Sequence, residues 1–291
     1  MKKIIQVAKP FFSTSEINEI KKTIKTGWIA PGPKTLQMEN LIKKKLGVKH
    51  VVAVNSCTSG IAACLIALGA KKGDEVLTPS NTFISTINTL YNFNLKIKLC
   101  DVDINTWSVS DDLFRKNLTK KTKFFIPVHF GGNPTDITKI ISTAKKNKIK
   151  VIEDAATAFG SKIKKKFIGS FNDSVAVFSL HANKVVTSAE GGFITLNNRK
   201  LALKIRRLIN SGLKKDSWER KKKNNFKPLN AIEPGFKFNY NDVLASIAVV
   251  QLKKINHIIN YRHKLSKIYE EELMDLILNK KIFLQKSKKN N

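Results

Sequence analysis

Two residues have types and a spacing that suggest chemistry. Lys184 closes the run Phe178-Ser179-Leu180-His181-Ala182-Asn183-Lys184 and is followed by Ala189-Glu190-Gly191-Gly192. Asp154, thirty residues upstream, ends the apolar stretch Val151-Ile152-Glu153-Asp154. Taken singly, Lys184 is one surface lysine among many, and Asp154 is an acid that one of those lysines could pair with. Taken together, an acid at a strand end, a second strand, and a lysine flanked by a hydroxyl and glycines suit pyridoxal phosphate. The lysine would form a Schiff base with the cofactor, and the acid would keep the pyridine nitrogen protonated. Once an amino donor displaced it, the free amine could move a proton between the donor's Cα and the cofactor.

Further candidates lie around this pair. Cys57-Thr58-Ser59-Gly60 falls between a strand and a helix, where free amides and the helix dipole bind an anion such as the cofactor phosphate. Thr58 and Ser59 would add hydroxyls to that cup, unless they only cap the helix. Phe83, after Pro79-Ser80-Asn81-Thr82, could give the ring a flat platform or could be plain core. Thr157 could reach the ring's phenolic oxygen, and Ser179 is placed for the phosphate. His181 stays open between lining the site and packing.

Elements able to hold these residues are legible in the pattern. Residues 13–26 open on a helix cap, Ser13-Thr14-Ser15-Glu16, and continue with Ile17, Ile20 and Ile24 at helical spacing. A second helix spans 34–45. Strands are expected at 51–54, 75–79, 95–102, 123–128 and 150–154, with helices at 61–68, 81–91, 111–117 and 134–146 between them. This alternation implies an α/β fold with a mostly parallel central sheet, helices on both faces, and ligands at the carboxyl ends of the strands. The charged stretch 213–227 reads as a mobile loop and 242–269 as a long helix, with a frayed polar end at 284–291. The domain reading is a large cofactor-binding body over 1–241, then 242–291 as the long helix and the start of a truncated smaller unit.

Composition narrows the classes. A chain of 291 residues with 42% hydrophobic and 26% charged residues is that of a water-soluble globular protein. No apolar run approaches the roughly 20 residues of a membrane span, and Met1-Lys2-Lys3-Ile4-Ile5-Gln6 lacks the apolar core of a secretory signal, so the expected location is the cytoplasm. Cys57, Cys64 and Cys100 match neither a metal-ligand nor a disulfide spacing, and no metal is expected. The net charge of +31 would suit nucleic acid. Its lysines, however, are spread along the whole chain with no DNA- or RNA-binding motif. An anionic small-molecule substrate fits the same field better.

The ordered motifs resemble the DegT/DnrJ/EryC1/StrS family of pyridoxal-phosphate sugar aminotransferases. They are Gly27-Trp28 with Gly32-Pro33, Asn55-Ser56-Cys57-Thr58-Ser59, Thr82-Phe83-Ile84-Ser85-Thr86, Pro127-Val128-His129-Phe130-Gly131-Gly132 and Glu153-Asp154-Ala155-Ala156. Gly169-Ser170-Phe171, the run 178–184 through Glu190-Gly191-Gly192, and Gly235-Phe236-Lys237-Phe238-Asn239-Tyr240-Asn241-Asp242 complete the set. The resemblance implies the aspartate-aminotransferase-like fold (type I) and a homodimer with sites between subunits. It also implies amino transfer from glutamate or glutamine to a nucleotide-linked keto-sugar, in amino-sugar synthesis for surface polysaccharide. On the matching positions Lys184 is the anchoring lysine, Asp154 the ring-nitrogen partner, and Thr58, Ser59 and Ser179 the phosphate ligands. The 237–239 segment resembles one that reaches the neighbouring subunit's phosphate. A dehydratase branch carries histidine in place of the lysine, so Lys184 favours transamination. Thr157 stands where the family usually has histidine or glutamine, which implies a weaker or water-mediated contact. Family members continue into a C-terminal small domain that is largely missing here. A shortened homologue that binds cofactor without catalysis is therefore the first alternative, and a basic nucleic-acid-binding protein the second. A lyase or desulfurase of the same fold is a further rival. A desulfurase needs a reactive cysteine on a mobile loop, and all three cysteines fall in or beside expected core elements.

Overall fold

A computed structural model describes residues 8–214, 218 and 229–286. Its centre is a seven-stranded sheet in the order β1-β9-β8-β5-β4-β2-β3. These strands are β1 (His50–Val54), β2 (Glu75–Pro79), β3 (Lys96–Cys100), β4 (Thr122–Phe125), β5 (Lys150–Asp154), β8 (Ser174–Ser179) and β9 (Gly192–Leu196). Two short strands, β6 (Lys162–Ile163) and β7 (Lys166–Phe167), form a separate hairpin. Pairs β3–β2, β2–β4, β4–β5 and β5–β8 are parallel, whereas β9 runs antiparallel to both β8 and β1. The expected mostly parallel sheet is present. The antiparallel β9 was not foreseen, because an all-buried run of five residues such as Gly192–Leu196 carries no direction in its pattern.

The sheet is covered on both faces, and successive residues of each strand alternate between two cores. Val151, Phe125 and Phe178 pack with Met38, Ile42 and Ile140 on one side. Ile152, Phe124 and Val177 pack with Ile61, Leu65 and Ile205 on the other. The first side is built from α1 (Thr14–Lys25), α2 (Pro33–Leu46), α5 (Asp111–Asn117), α6 (Ile137–Lys146) and α8 (Asp242–Glu272). The second is built from α3 (Cys57–Ala67), α4 (Ile84–Asn92) and α7 (Arg199–Leu208); a short α9 (Met274–Leu278) follows α8.

Local chemistry fixes several boundaries. The capping box at Ser13 and Glu16 starts α1. Gly47, at φ +69°, ends α2 in the left-handed conformation that glycine adopts without strain. The start of α2 is held from the far end of the chain. Asp242, 1% exposed, accepts bonds from the Gly32, Lys34 and Thr35 amides and from the Thr35 hydroxyl, at 2.7–3.0 Å. Helix α8 is buried through Ile258 and exposed from Tyr261 onward.

Sequence and structure differ in places. α3 begins at Cys57 rather than at 61, and α6 begins at Ile137 rather than at 134, after the extended residues around Pro134. Most of the stretch 213–227, expected as a loop, lies outside the described residues, as do residues 287–291 of the expected frayed end. Residues 285–286 are tied down: the Gln285 amide donates to the Thr106 and Phe130 carbonyls at 2.8 and 3.1 Å, and Lys286 N–H to that of Asn105 at 2.7 Å. Among the described residues no helix is long and apolar enough to cross a membrane.

Candidate cofactor site

The carboxyl ends of β1, β2, β5 and β8 and the start of β9 meet at one place, and the expected residues lie around it. Helix α3 contributes an anion cup. Ser56 is its N-cap, and its hydroxyl oxygen accepts the Ser59 amide at 3.0 Å. The buried Ser59 hydroxyl turns back to Asn55 Oδ1 and the Ser56 carbonyl. Thr58 is exposed, and the Cys57 and Thr58 amides, in the first turn, have no acceptor within the helix. Capping thus falls to Ser56, which leaves the Thr58 amide and hydroxyl facing outward. Gly192 lets β9 abut this cup, since a Cβ there would sit 2.8 Å from the Cys57 nitrogen and 2.6 Å from the Phe178 carbonyl oxygen. Ser179 ends β8, and its hydroxyl oxygen accepts the His181 amide at 3.2 Å, so its own proton is available.

Asp154 forms the far wall. It is 5% exposed; one oxygen accepts the Thr86 hydroxyl at 2.8 Å and the other the Ala156 amide at 3.2 Å. Among the described residues no cation lies within ion-pair distance of it. The surface-lysine ion pair that the composition allowed is therefore not formed. Burial pushes its carboxyl up from the ordinary aspartate value, while the bonds from Thr86 and Ala156 and the more distant charges of His129 and Lys184 oppose the rise. Burial also pushes the Cys57 thiol well up, with Asp154 adding to the rise and Lys184 opposing it. Lys184 thus acts electrostatically on the buried acid from the half-buried loop after β8, where its amide bonds the His181 carbonyl at 3.0 Å.

Phe83 is 74% exposed immediately before α4, the helix whose Thr86 holds Asp154. It is a surface platform there rather than core. Thr157 is also exposed, but its hydroxyl donates to the His129 carbonyl at 2.9 Å and accepts the Gly132 amide at 3.2 Å. Its proton is therefore committed to the loop backbone. His181 is half exposed, with Nδ1 3.0 Å from Asn183 Oδ1 and Nε2 3.7 Å from Glu190 Oε1, so it lines the mouth. Residues 237–239 run beside the cup, the Phe238 carbonyl taking the Asn55 amide at 2.8 Å. Sequence reasoning passed over Ser56 and Thr86, although each has a visible spacing signal: Ser56 stands three residues before Ser59, and Thr86 four after Thr82. A cleft of about 610 Å³ beside Lys49, Lys150 and Asn172 lies at the amino ends of β1, β5 and β8 and shares no residue with this site.

The set fits pyridoxal phosphate. A buried carboxylate without an ion-pair partner, the free amides at the start of α3, and a lysine whose charge acts on both Asp154 and Cys57 make up the group. Among the described residues no cluster of three metal-ligating side chains occurs.

Comparison with known proteins agrees with this geometry. The sequence profile of the DegT/DnrJ/EryC1/StrS aminotransferase family matches residues 11–291. The uncharacterized protein MJ1066 of Methanocaldococcus jannaschii is 38% identical over 92% of this chain and 69% of its own length. The aminotransferase TlmJ of Streptoalloteichus hindustanus superposes with a TM-score of 0.86 at 27% identity, over 93% of this chain and 72% of that one. Spr1654 of Streptococcus pneumoniae, named a sugar aminotransferase and solved in its PMP form, gives 0.85 at 26% identity over the same shares. It has also been solved in a PLP form, with a TM-score of 0.83. The chain belongs to the DegT/DnrJ/EryC1/StrS aminotransferase family and has the fold of its pyridoxal-phosphate enzymes.

Proposed function

We propose that this family member is a pyridoxal-phosphate aminotransferase that moves an amino group from glutamate or glutamine to a nucleotide-linked keto-sugar, in amino-sugar synthesis for surface polysaccharide. The observation that carries the reading is the buried carboxylate of Asp154, which has no cation at ion-pair distance among the described residues yet feels the charge of Lys184 and acts on Cys57 in the first turn of α3. When bound, the cofactor supplies a carbonyl for the donor's nitrogen and an electron sink that lets a Cα proton leave.

The protein's own groups do the rest. The α3 amides, Thr58 and Ser179 hold the phosphate, with Ser59 fixing the turn. Phe83 shields one face of the ring. Asp154 holds a proton at the ring nitrogen, and the gain of that cation offsets the burial of its own charge. Lys184 would anchor the cofactor and, once released, would carry the proton between the donor's Cα and the cofactor. Thr157, with its proton on the His129 carbonyl, meets the phenolic oxygen through water.

The sugar substrate is supported by family membership and by the name of Spr1654. A homodimer is supported by exposed apolar side chains, Ile84 and Tyr91 on α4 and Leu99 and Ile104 near β3. Residues 1–241, with the buried first half of the helix that opens 242–291, would form the cofactor-binding body, the rest of 242–291 the start of a smaller unit, and the cytoplasm is the expected location.

The protein mixed with pyridoxal phosphate should gain a visible absorbance band that borohydride fixes onto the Lys184 peptide, and Lys184→Ala should stay colourless. With glutamate or glutamine and a nucleotide keto-sugar, amino-sugar should form. Wild type that stays colourless in excess cofactor would overturn the reading. Cofactor capture without transfer to any nucleotide keto-sugar would leave only the binding role.

A further inference from the structure

The loop that carries Lys184 is held at its neck, and Tyr240 sits on that neck. We propose that Tyr240 is a positioning residue that sets Lys184 relative to the phosphate cup; this rests on the reading of Lys184 as the cofactor's anchor. Residues 180–191 form a closed loop with Lys184 near its tip. Leu180 N–H donates to the Gly191 carbonyl at 2.8 Å, and Ser188 N–H and the Thr187 hydroxyl both donate to the Leu180 carbonyl at 3.0 Å. The Tyr240 hydroxyl donates to Ser188 Oγ, whose own proton goes to the Glu190 carbonyl at 2.8 Å. The tyrosine ring abuts the neck, for a Cβ on Gly191 would be 2.6 Å from its Cε2.

The same short segment also holds the cup. Asn239 bridges Val54, and the Phe238 carbonyl takes the amide of Asn55, whose side chain in turn accepts the Ser59 hydroxyl. One stretch, 238–240, therefore touches both halves of the site, the phosphate end and the amine end. Its base is rigid, because Asn241 caps α8 and Asp242 caps α2. Tyr240 is 1% exposed, and burial pushes its hydroxyl far up from the ordinary value, so it stays a donor across the working pH range. Attachment of an aldehyde to an amine is sensitive to orientation, so a loosened neck slows attachment without weakening the phosphate end.

The test compares the wild-type chain with Tyr240→Phe, Ser188→Ala and the double variant. Attachment of pyridoxal phosphate to Lys184 is timed by absorbance and confirmed by borohydride trapping. Inorganic phosphate competition reads the cup, and amide exchange reads residues 180–191. Each single variant should slow attachment about three- to tenfold, the scale of one buried hydrogen bond. Each should also speed exchange of the Leu180 and Ser188 amides, with phosphate competition unchanged. The double variant should be no worse than Ser188→Ala, which already loses both the Tyr240 bond and the bond to the Glu190 carbonyl. Wild-type attachment rates in Tyr240→Phe would overturn the proposal, as would faster exchange spread evenly over the whole sheet. If wild type itself places no cofactor on Lys184, the functional reading fails instead, which is a different result.

Discussion

Replacing Asp154 by asparagine should stabilise the cofactor-free protein and cripple the loaded one. In the free protein the carboxylate is 5% exposed, has two hydrogen bonds and no cation. Asparagine keeps an acceptor for Thr86 and loses the one for Ala156, a long bond of 3.2 Å worth about 0.5–1 kcal/mol. Against that loss stands relief of a buried charge, whose effective desolvation cost is several kcal/mol, partly met by the same bonds. The expected net gain is about 1 kcal/mol at pH 7. Its pH dependence has a fixed sign. The folded carboxyl is raised above its ordinary value of 3.8, so its stabilising protonation is complete below that value and lost as pH rises through the folded value. The advantage of asparagine should therefore be small near pH 4 and larger at pH 7. With cofactor the order reverses, since a unit charge pair at about 4 Å is worth about 4 kcal/mol at an effective dielectric of 20. That corresponds to about a thousandfold loss of transfer rate. Urea midpoints at both pH values, with and without pyridoxal phosphate, measure the crossing. An Asp154→Asn protein destabilised equally in both states would refute the argument that this charge is held for a cation.

Three further outcomes follow from contacts away from the cofactor. Asp242→Ala removes the acceptor of three amides and a hydroxyl at the start of α2 and should lower unfolding free energy by about 3–5 kcal/mol, read from urea melts by circular dichroism. Burial raises the Glu16 carboxyl, but Lys254, Ser13 and Gln251 outweigh it and bring it to about 2. Its stabilisation is present above about 4.5, the ordinary glutamate value, and lost as pH falls toward 2, so Glu16→Gln should flatten the acid limb of a stability-pH curve. Ala189 lies within the lysine loop at φ +72°, so Ala189→Gly should relieve strain and raise stability by about 0.5–1 kcal/mol in a thermal melt.

The architecture was legible because alternation and caps are local signals. Asp154 at the end of an apolar run, Gly47 after a helical pattern and Ser13 with Glu16 three residues on are each visible within a few residues. Long-range polar partners were not. Nothing near Asp242 indicates that it caps a helix about 210 residues away, and nothing near Tyr240 indicates Ser188. Thr157 shows the same limit from the other direction. Its position suits the ring oxygen, but the hydroxyl is drawn to the His129 carbonyl by a loop that only the fold brings near. Side-chain type and spacing locate a residue, whereas the direction of its proton depends on neighbours far off in sequence.

Glu153 and Asp154 show how burial separates structure from function within two adjacent acids. Alternation along β5 sends them to opposite faces of the sheet. Glu153 is fully buried and satisfied: Ser174 donates to one oxygen at 2.6 Å and His129 Nε2 to the other at 3.0 Å. The Thr135 amide donates to His129 Nδ1 at 3.1 Å, which leaves the ring hydrogen on Nε2. Asp154, one residue on, has no such closure. The two acids should therefore respond oppositely to cofactor. Glu153→Ala leaves the His129 ring hydrogen without an acceptor where no water reaches, and should cost about 3 kcal/mol. That cost should be the same whether or not pyridoxal phosphate is bound, because the cluster is complete without it. A Glu153→Ala deficit that saturating cofactor removes would place Glu153 in the cofactor's charge balance and break the distinction between the two faces.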